Sequence, residues 1–534
     1  MKKRMMFICI VYVLLSLGLA GRLTYIQIIG GEELSTAAIR QQKISLNGID
    51  FRGTIYDRNM SPLTSQSKEY MVLLLKEKYD SKVATVLSKM EAHKLSVDNS
   101  KYYVYAIDHY DREAWQVLED KYNAYSLEIN KRYDNNQLAS HLIGYINQKD
   151  GNGVSGLELL YNKKLENNDS NYFAMADAKG YLLSGIGLST SVNQNYGVVT
   201  TLDKEIQKSV EEALNNSDYN GAVVVQSVKD GSILACASTP AFDPNEMKQY
   251  INSDNKELID KVFQGEYPPG SIFKIVVAAA ALEKGIKPDI ILHCDGKREV
   301  NGVIFGCSTG GEEGHGDISF TDAFAYSCNS AFIELGEMVG AEDILKMAEK
   351  MGLGENPING FPNIKNGNLP ALKNCQGAGI GNLSIGQGET LVTPLQVARM
   401  VNIIANGGVD KEVKIVEEVL GDPSEETQKS AIQKKSDDQD HRVISKQTAS
   451  QLTKMMKATM KYGTGNNVST EEETAGKTGS AEASDAGRYI VHGWFTGFYP
   501  ASNPKYTIVV FAENGKSGRK SAVPIFDELT QKLP

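Results

Sequence analysis

The sequence predicts an α+β protein whose two folded parts follow an N-terminal transmembrane helix. Three observations carry that expectation. An uncharged run, Met5 to Gly21, lies directly behind Lys2, Lys3 and Arg4. One β-hairpin signal runs from Ala222 to Ser238 around Lys229-Asp230-Gly231, and a second joins His492–Tyr499 to Tyr506–Ala512 through Ala501-Ser502-Asn503-Pro504. Between the hairpins the patterning is helical, as at Ser271 to Lys284 and Phe320 to Glu337. Asp-Gly takes the positive φ that tight hairpin turns require. Strands at both ends of a segment with helices between them give an antiparallel sheet with helices packed on it.

The anchor comes first in the chain. Within Met5–Gly21 the residues Phe7, Ile8, Ile10, Val11, Val13, Leu14, Leu15 and Leu17 are apolar, and after Arg22 the run Leu23 to Ile29 continues mostly apolar. A spanning helix needs about 20 such residues, and Arg22 sits where its stem can carry the charge to the interface. The alternative is a signal peptide cut near Gly18 and Ala20; apolar character beyond that point favours a retained single-pass anchor. The basic cluster ahead of the run places the N-terminus in the cytoplasm and everything after residue 30 outside.

Residues 31–195 form the next part, polar and rich in Tyr, Asn, Lys and Glu. Strand-like Tyr70–Leu75 and Tyr102–Ile107 alternate with helix-like Lys82–Lys94 and Arg112–Tyr122. The texture changes at about Tyr196, so the domains expected are 1–30, 31–195 and 196–534, with 422–442 a polar surface loop. A chain of 534 residues exceeds what one hydrophobic core organises.

Composition excludes several classes. With 41% hydrophobic and 23% charged residues, a wholly disordered chain, a collagen and a coiled-coil rod are ruled out. A net charge of −10, from 56 Lys+Arg against 66 Asp+Glu, is a poor footing for a phosphate backbone, so nucleic acid is not an expected partner. Six cysteines are too few for a disulfide framework.

The chemistry-bearing segment is Tyr267-Pro268-Pro269-Gly270-Ser271-Ile272-Phe273-Lys274, which runs into an alanine-rich stretch ending at Gly285. The prolines and glycine stop whatever precedes, and the alanines are strong helix formers. Ser271 thus falls in the first turn of a hydrophobic helix, with Lys274 one turn on. A desolvated lysine loses proton affinity and can serve as a base toward the hydroxyl. The pattern alone says little, because Ser-x-x-Lys recurs at Ser65/Lys68, Ser253/Lys256, Ser502/Lys505 and Ser517/Lys520. Two more pieces give it weight. Ser327-Cys328-Asn329 can place a hydroxyl and an amide at a cleft, and Lys477-Thr478-Gly479-Ser480 sets a cation, hydroxyls and a glycine on a presumed strand edge suited to a substrate carboxylate. Ser-x-x-Lys, Ser-x-Asn and Lys-Thr-Gly, 56 and then 150 residues apart, are specific only in combination.

With these motifs the chain resembles class B penicillin-binding proteins of the serine β-lactamase/transpeptidase superfamily. Arg52-Gly53-Thr54-Ile55-Tyr56-Asp57-Arg58-Asn59, His141-Leu142-Ile143-Gly144-Tyr145 and Gly156-Leu157-Glu158-Leu159-Leu160-Tyr161 resemble motifs of the family's pedestal, and Gly386-Gln387-Gly388-Glu389 a stretch bordering its active site. The resemblance implies an elongated α+β pedestal at 31–195 and a transpeptidase domain at 196–534. It implies that Ser271 is acylated by a D-Ala-D-Ala stem peptide and that Lys274 is the base. Ser327 and Asn329 would relay protons and hold the substrate amide. Lys477 would hold Ser327 electrostatically, while Thr478 and Ser480, flanking Gly479, would bind the carboxylate. The Ser271 and Ser480 amides would form the oxyanion hole. Implied partners are peptidoglycan stem peptides, β-lactams and a multi-spanning membrane glycosyltransferase, since no polymerase domain precedes the pedestal. No metal or cofactor is required. The rival readings are a D,D-carboxypeptidase or β-lactamase, and a catalytically idle sensor or scaffold. Service in elongation, division or sporulation is not specified.

Cys294, Cys307 and the nearby His315 are open to three states: free thiols, a disulfide or a metal site. Cys328 is expected to pack. His93, His109, His141 and His492 read as ordinary polar or packed histidines.

Overall fold

The computed structural model describes residues 2–29, 43–95, 101–107, 109–147, 151–175, 189–190, 196–358, 360–421, 441–485 and 487–534. Most of the 422–442 segment therefore lies outside the described residues. The chain divides into two compact units. One comprises Met1–Arg52, Ser67–Lys131 and Glu166–Asn195; the other comprises Gly53–Gln66, Arg132–Leu165 and Tyr196–Pro534. The sequence alone treats 31–195 as uninterrupted, whereas Gly53–Gln66 and Arg132–Leu165 here join the second unit. Long-range pairing is the cause. Thr54–Tyr56 runs parallel to Gly197–Thr200. Arg132 donates to the Gly53 carbonyl at 2.8 Å and pairs with the fully buried Glu158. A buried carboxylate deprived of its cation costs roughly 3–5 kcal/mol, which holds these segments together.

In the first unit, α1 (Lys2–Thr24) continues into a wider helical turn at Tyr25–Ile29. Its apolar side chains are exposed throughout. At 1.5 Å per residue it exceeds the ~30 Å of a bilayer's hydrocarbon core. The Ser16 and Thr24 hydroxyls bond carbonyls one turn back, at Tyr12 and Ala20, so neither presents an unmet donor. Among the described residues this helix alone is long and apolar enough to cross a membrane, and it associates the chain with one.

The same unit holds a four-stranded antiparallel sheet made of His93–Lys94, Tyr102–Ile107, Lys68–Leu75 and Tyr125–Asn130 in that spatial order. Helices Ser81–Lys89 and Arg112–Tyr122, capped by Asp80 and Asp111, bury Val83, Leu87, Trp115 and Leu118 against Val72 and Leu74. The helix expected to reach Lys94 stops at Lys89. Glu91 turns left-handed (φ 49°), and the amides of Glu91 and Ala92 bond back to Ser88 and Leu87, leaving His93–Lys94 to pair with the sheet.

In the second unit, β1 (Gly221–Ser227), β2 (Ile233–Ser238), β3 (Ala475–Asp485), β4 (Arg488–Tyr499) and β5 (Tyr506–Ala512) form one antiparallel sheet in the order β2-β1-β5-β4-β3. Both expected hairpins are present. Side chains alternate between two cores. Val223, Val225, Phe495, Ile508 and Val510 pack with Val210, Leu214, Phe526 and Leu529, while Ala222, Val224, Trp494, Val509 and Phe511 join the larger core. Burial on both faces explains why β1 is buried along its whole length.

Among the helices of this part are α2 (Lys274–Glu283), α3 (Asn329–Val339), α4 (Pro394–Ala405), α5 (Lys446–Lys461) and α6 (Gly518–Lys532). α2 is buried from Lys274 to Ala281, and α4 opens on a Thr393/Gln396 capping box with Pro394 in its first turn. The helix expected over Phe320–Glu337 is two helices. Phe320–Ala325 ends because Ser327 takes φ 58°, with the amides of Ser327 and Cys328 bonding back to Phe324 and Ala323. Cys328 then caps α3 through its sulfur, 3.5 Å from the Ala331 amide.

Candidate active site

The start of α2, the left-handed turn ahead of α3 and the strand β3 meet. Gly270–Phe273 forms a 3-10 turn leading into α2. Side chains three apart eclipse in that geometry, so Ser271 and Lys274 share one face. The turn is tightly placed. The Trp494 indole donates to the Pro268 carbonyl at 3.0 Å, and the Gly270 amide donates to the Gly386 carbonyl at 2.9 Å. Gly270 has φ 53°, and a β-carbon there would lie 2.4 Å from the Ser480 carbonyl oxygen. Only glycine allows β3 this close to the residue ahead of Ser271. Ser271 itself is half-buried.

Lys274 is fully buried and binds the Ser-x-Asn segment at three points. Its Nζ donates to the Ser327 carbonyl at 2.7 Å, the Ser327 hydroxyl at 3.2 Å and the Asn329 Oδ1 at 2.7 Å. The Asn329 amide nitrogen donates in turn to the Gly306 carbonyl at 3.0 Å. The turn that stops Phe320–Ala325 thus also aims the carbonyl and hydroxyl of Ser327 at Lys274. A left-handed serine is strained by about 1 kcal/mol or more, which these three hydrogen bonds offset.

Lys477 on β3 is also fully buried; its Nζ donates to the Thr478 carbonyl at 3.0 Å and stands over the Phe324 ring. Burial lowers the pKa of Lys274 from the ordinary lysine value to about 8, against the opposing pull of Cys328 and Cys307. Lys477 lies well below the ordinary value, first through burial and then through the charge of Lys274. Thr478 is buried and shares a 2.5 Å hydrogen bond with the Thr464 hydroxyl. Ser480 is exposed, its hydroxyl accepting from the Gly518 amide at 3.4 Å.

Of the sequence-predicted residues, Ser271 and Lys274 lie on one turn, Lys274 gathers Ser327 and Asn329, and β3 carries Lys477, Thr478, Gly479 and Ser480 past Gly270. The competing Ser253 belongs to a local turn, its hydroxyl bonded to Glu257. His141 is packed, its Nε2 at 2.7 Å from the Glu257 carbonyl, and burial lowers its pKa to about 4.

Two features escaped sequence reading. Thr464, in Tyr462-Gly463-Thr464-Gly465, is held beside Thr478 by its amide's bond to the Ala325 carbonyl; its only signal was the flanking glycines. Cys328, expected to pack, stands in a cluster with Cys294, Cys307 and His315.

The chain that carries this serine, lysine and strand edge is similar to several known proteins. Residues 221–531 match the family described as "Penicillin binding protein transpeptidase domain". The chain is 28% identical to Stage V sporulation protein D of Bacillus subtilis, over 98% of this chain and 84% of that protein. It is 26% identical to penicillin-binding protein 3 of Mycobacterium tuberculosis, solved in complex with aztreonam; the match has a TM-score of 0.64 and covers 92% of this chain and 96% of the other. The penicillin-binding protein PBP2 of Helicobacter pylori shares the fold at 23% identity, with a TM-score of 0.70 over 92% of this chain and 98% of the other. The family match covers more than half of the chain and contains every residue of the site just described, so this protein belongs to the penicillin-binding protein transpeptidase family.

Proposed function

We propose that the protein is a peptidoglycan D,D-transpeptidase that works through an acyl-enzyme on Ser271 and is trapped there by β-lactams. The observation that carries the reading is Lys274: one 3-10 turn from Ser271, fully buried, lowered in pKa and fixed by Ser327 and Asn329. In the neutral form its Nζ takes the Ser271 hydroxyl proton as Oγ attacks the penultimate D-Ala carbonyl of a stem peptide. The C–N bond to the terminal D-Ala breaks, and that residue leaves as the amine after taking up a proton. The Ser271 and Ser480 amides stabilise the oxyanion, an interaction worth about 3–4 kcal/mol per donor in this class of chemistry. Thr478 and Ser480 receive the terminal carboxylate, and Lys477 supplies positive charge behind them. An amine of a second stem peptide then takes the acyl group and restores Ser271.

Orientation and partners follow from this chemistry. Lipid-linked wall precursors and nascent glycan are polymerised outside the cytoplasm. With Lys2, Lys3 and Arg4 on the cytoplasmic side, the chain that follows α1 lies on the same side of the membrane as these substrates. A membrane glycosyltransferase that supplies the glycan strands is the partner proposed.

The discriminating experiment offers the purified protein a D-Ala-D-Ala-type thioester together with an amine acceptor. The expected product carries the acceptor. Hydrolysed acid alone would make the protein a carboxypeptidase, and absence of both turnover and penicillin labelling would make it a scaffold.

Carboxylate docking gives a further test. Thr478→Val preserves shape but removes the hydroxyl shared with Thr464. Acylation by a fluorescent penicillin should slow about 10- to 100-fold, the scale of one or two charge-assisted hydrogen bonds. An unchanged second-order rate constant would refute the role.

A further inference from the structure

Four metal-ligating side chains converge behind the Ser327–Asn329 turn. Cys294 ends the strand Ile291–Cys294, which pairs with Gly316–Ser319; His315 lies just ahead of the latter strand. Cys307 follows the hairpin of Lys297–Val300 with Val303–Gly306, and its amide donates to the Gly296 carbonyl at 2.8 Å. Cys328 stands between Ser327 and Asn329. One ligand atom from each residue lies within 4.8 Å of all the others, with the three cysteines buried and His315 half-buried.

The two spacings around Cys307 are those of a tetrahedral coordination shell. With Zn–S near 2.3 Å and Zn–N near 2.0–2.1 Å, tetrahedral angles separate two sulfurs by about 3.8 Å and a sulfur from a nitrogen by about 3.6 Å. Cys307 Sγ lies 3.7 Å from Cys328 Sγ and 3.7 Å from His315 Nδ1. The sulfurs are also furnished with donors. The amides of Gly310 and Asn329 are directed at Cys307, with the Thr309 hydroxyl at 3.7 Å, and the Ala331 amide is directed at Cys328. Amide donors around cysteine sulfurs stabilise thiolates and orient them toward a metal. The loop approaches closely for the same purpose: Gly314 has φ 74°, and a β-carbon there would stand 2.1 Å from the Cys294 carbonyl oxygen.

We propose that Cys294, Cys307, His315 and Cys328 bind a structural Zn²⁺ ion that fixes the turn carrying Ser327 and Asn329. Three thiolates and a neutral imidazole fill all four positions, so the ion has no open site for substrate or water and takes no part in acyl transfer. Its effect reaches the chemistry through position. Cys328 is covalently between the two residues that hold Lys274, so a ligated Cys328 immobilises both. The expectation that acyl transfer itself requires no metal is untouched, because this ion serves the scaffold. On binding, the three thiols release their protons to solvent, and no redox step occurs.

The test uses the full-length protein, purified in detergent from zinc-supplemented medium without chelator. Elemental analysis should find about one zinc per chain, and Co²⁺ in its place should give the intense visible bands of a tetrahedral site with sulfur-to-metal charge transfer. Cys294→Ser and His315→Ala should each lower zinc retained at fixed free zinc by at least tenfold. Stripping zinc from the wild-type protein should slow penicillin acylation by at least tenfold, with recovery on adding zinc back. Wild-type protein with less than about a tenth of an equivalent of zinc, or with a Cys307–Cys328 disulfide in non-reducing peptide maps, would overturn the site. Stoichiometric zinc whose removal leaves acylation unchanged would overturn its hold on the turn. Metal content is measured without reference to Ser271, so this proposal and the acyl-enzyme reading fail separately.

Discussion

Replacing Ser271 with alanine is expected to abolish covalent penicillin labelling, from one label per chain to background, while the fold is retained. The substitution removes a single oxygen from a half-buried position within a 3-10 turn, and alanine suits helical backbone better than serine does. What holds the turn is independent of that oxygen: the Trp494 bond to the Pro268 carbonyl, the Gly270 bond to Gly386 and the approach of Ser480 to Gly270. Removing a nucleophile in acyl-transfer enzymes costs on the order of 10⁶ in rate, which places the variant below detection in a labelling experiment. Peptide mapping of the wild-type adduct should locate the label on the segment containing Ser271. Label that persists in Ser271→Ala, or that maps to Ser253 or Ser517, would remove Ser271 from the mechanism.

Much of this site was legible because backbone chemistry punctuates it. Pro268-Pro269-Gly270 can only stop one element and begin another, and Asp230-Gly231 can only be a turn; Gly231 indeed takes φ 77°. The doubly covered sheet left near-continuous apolar runs at Val223–Val225 and Ile508–Phe511 that read as strands without a competing helix. What was not legible depends on partners distant in sequence. Nothing local marks Ser327 as left-handed; its conformation is imposed by the closing bonds of Phe320–Ala325 and rewarded by Lys274, more than fifty residues earlier. The interleaving of Gly53–Gln66 and Arg132–Leu165 into the second unit rests on the parallel pairing of Thr54–Tyr56 with Gly197–Thr200 and on the Arg132–Glu158 pair, neither of which leaves a periodic trace. Cys294, Cys307 and His315 were legible as a possible metal site, but the membership of Cys328 was hidden for a related reason. The four residues come from four separate segments, with none of the close cysteine pairing by which zinc sites are usually recognised in sequence.

Lys274→Met should lower the acylation rate constant by at least about 10³-fold, the scale of a positioned general base, while Ser271 remains present. Methionine keeps the unbranched stem inside α2, so the core loses no large volume and the protein should still fold. The change leaves the Ser327 carbonyl and Asn329 Oδ1 without the donor they share, at a cost of about 1–3 kcal/mol each, and also relieves the fold of a buried amine. Thermal unfolding measured alongside acylation separates these effects from catalysis. The pH profile supplies the sharper reading. A lysine acts as a base only when neutral, and burial has lowered this one to about 8. About a tenth of the molecules are then competent at pH 7, against roughly three in ten thousand for an unshifted lysine. Lowering the pKa thus raises the competent fraction by more than two orders of magnitude. Wild-type acylation should therefore climb about tenfold per pH unit below the shifted value and level off above pH 8. In Lys274→Met the residual rate should lose that limb. A wild-type rate that is flat between pH 6 and 9, or a methionine variant within tenfold of wild type, would assign the base to another residue, and Lys477, the other buried lysine of the site, would then be the first to replace.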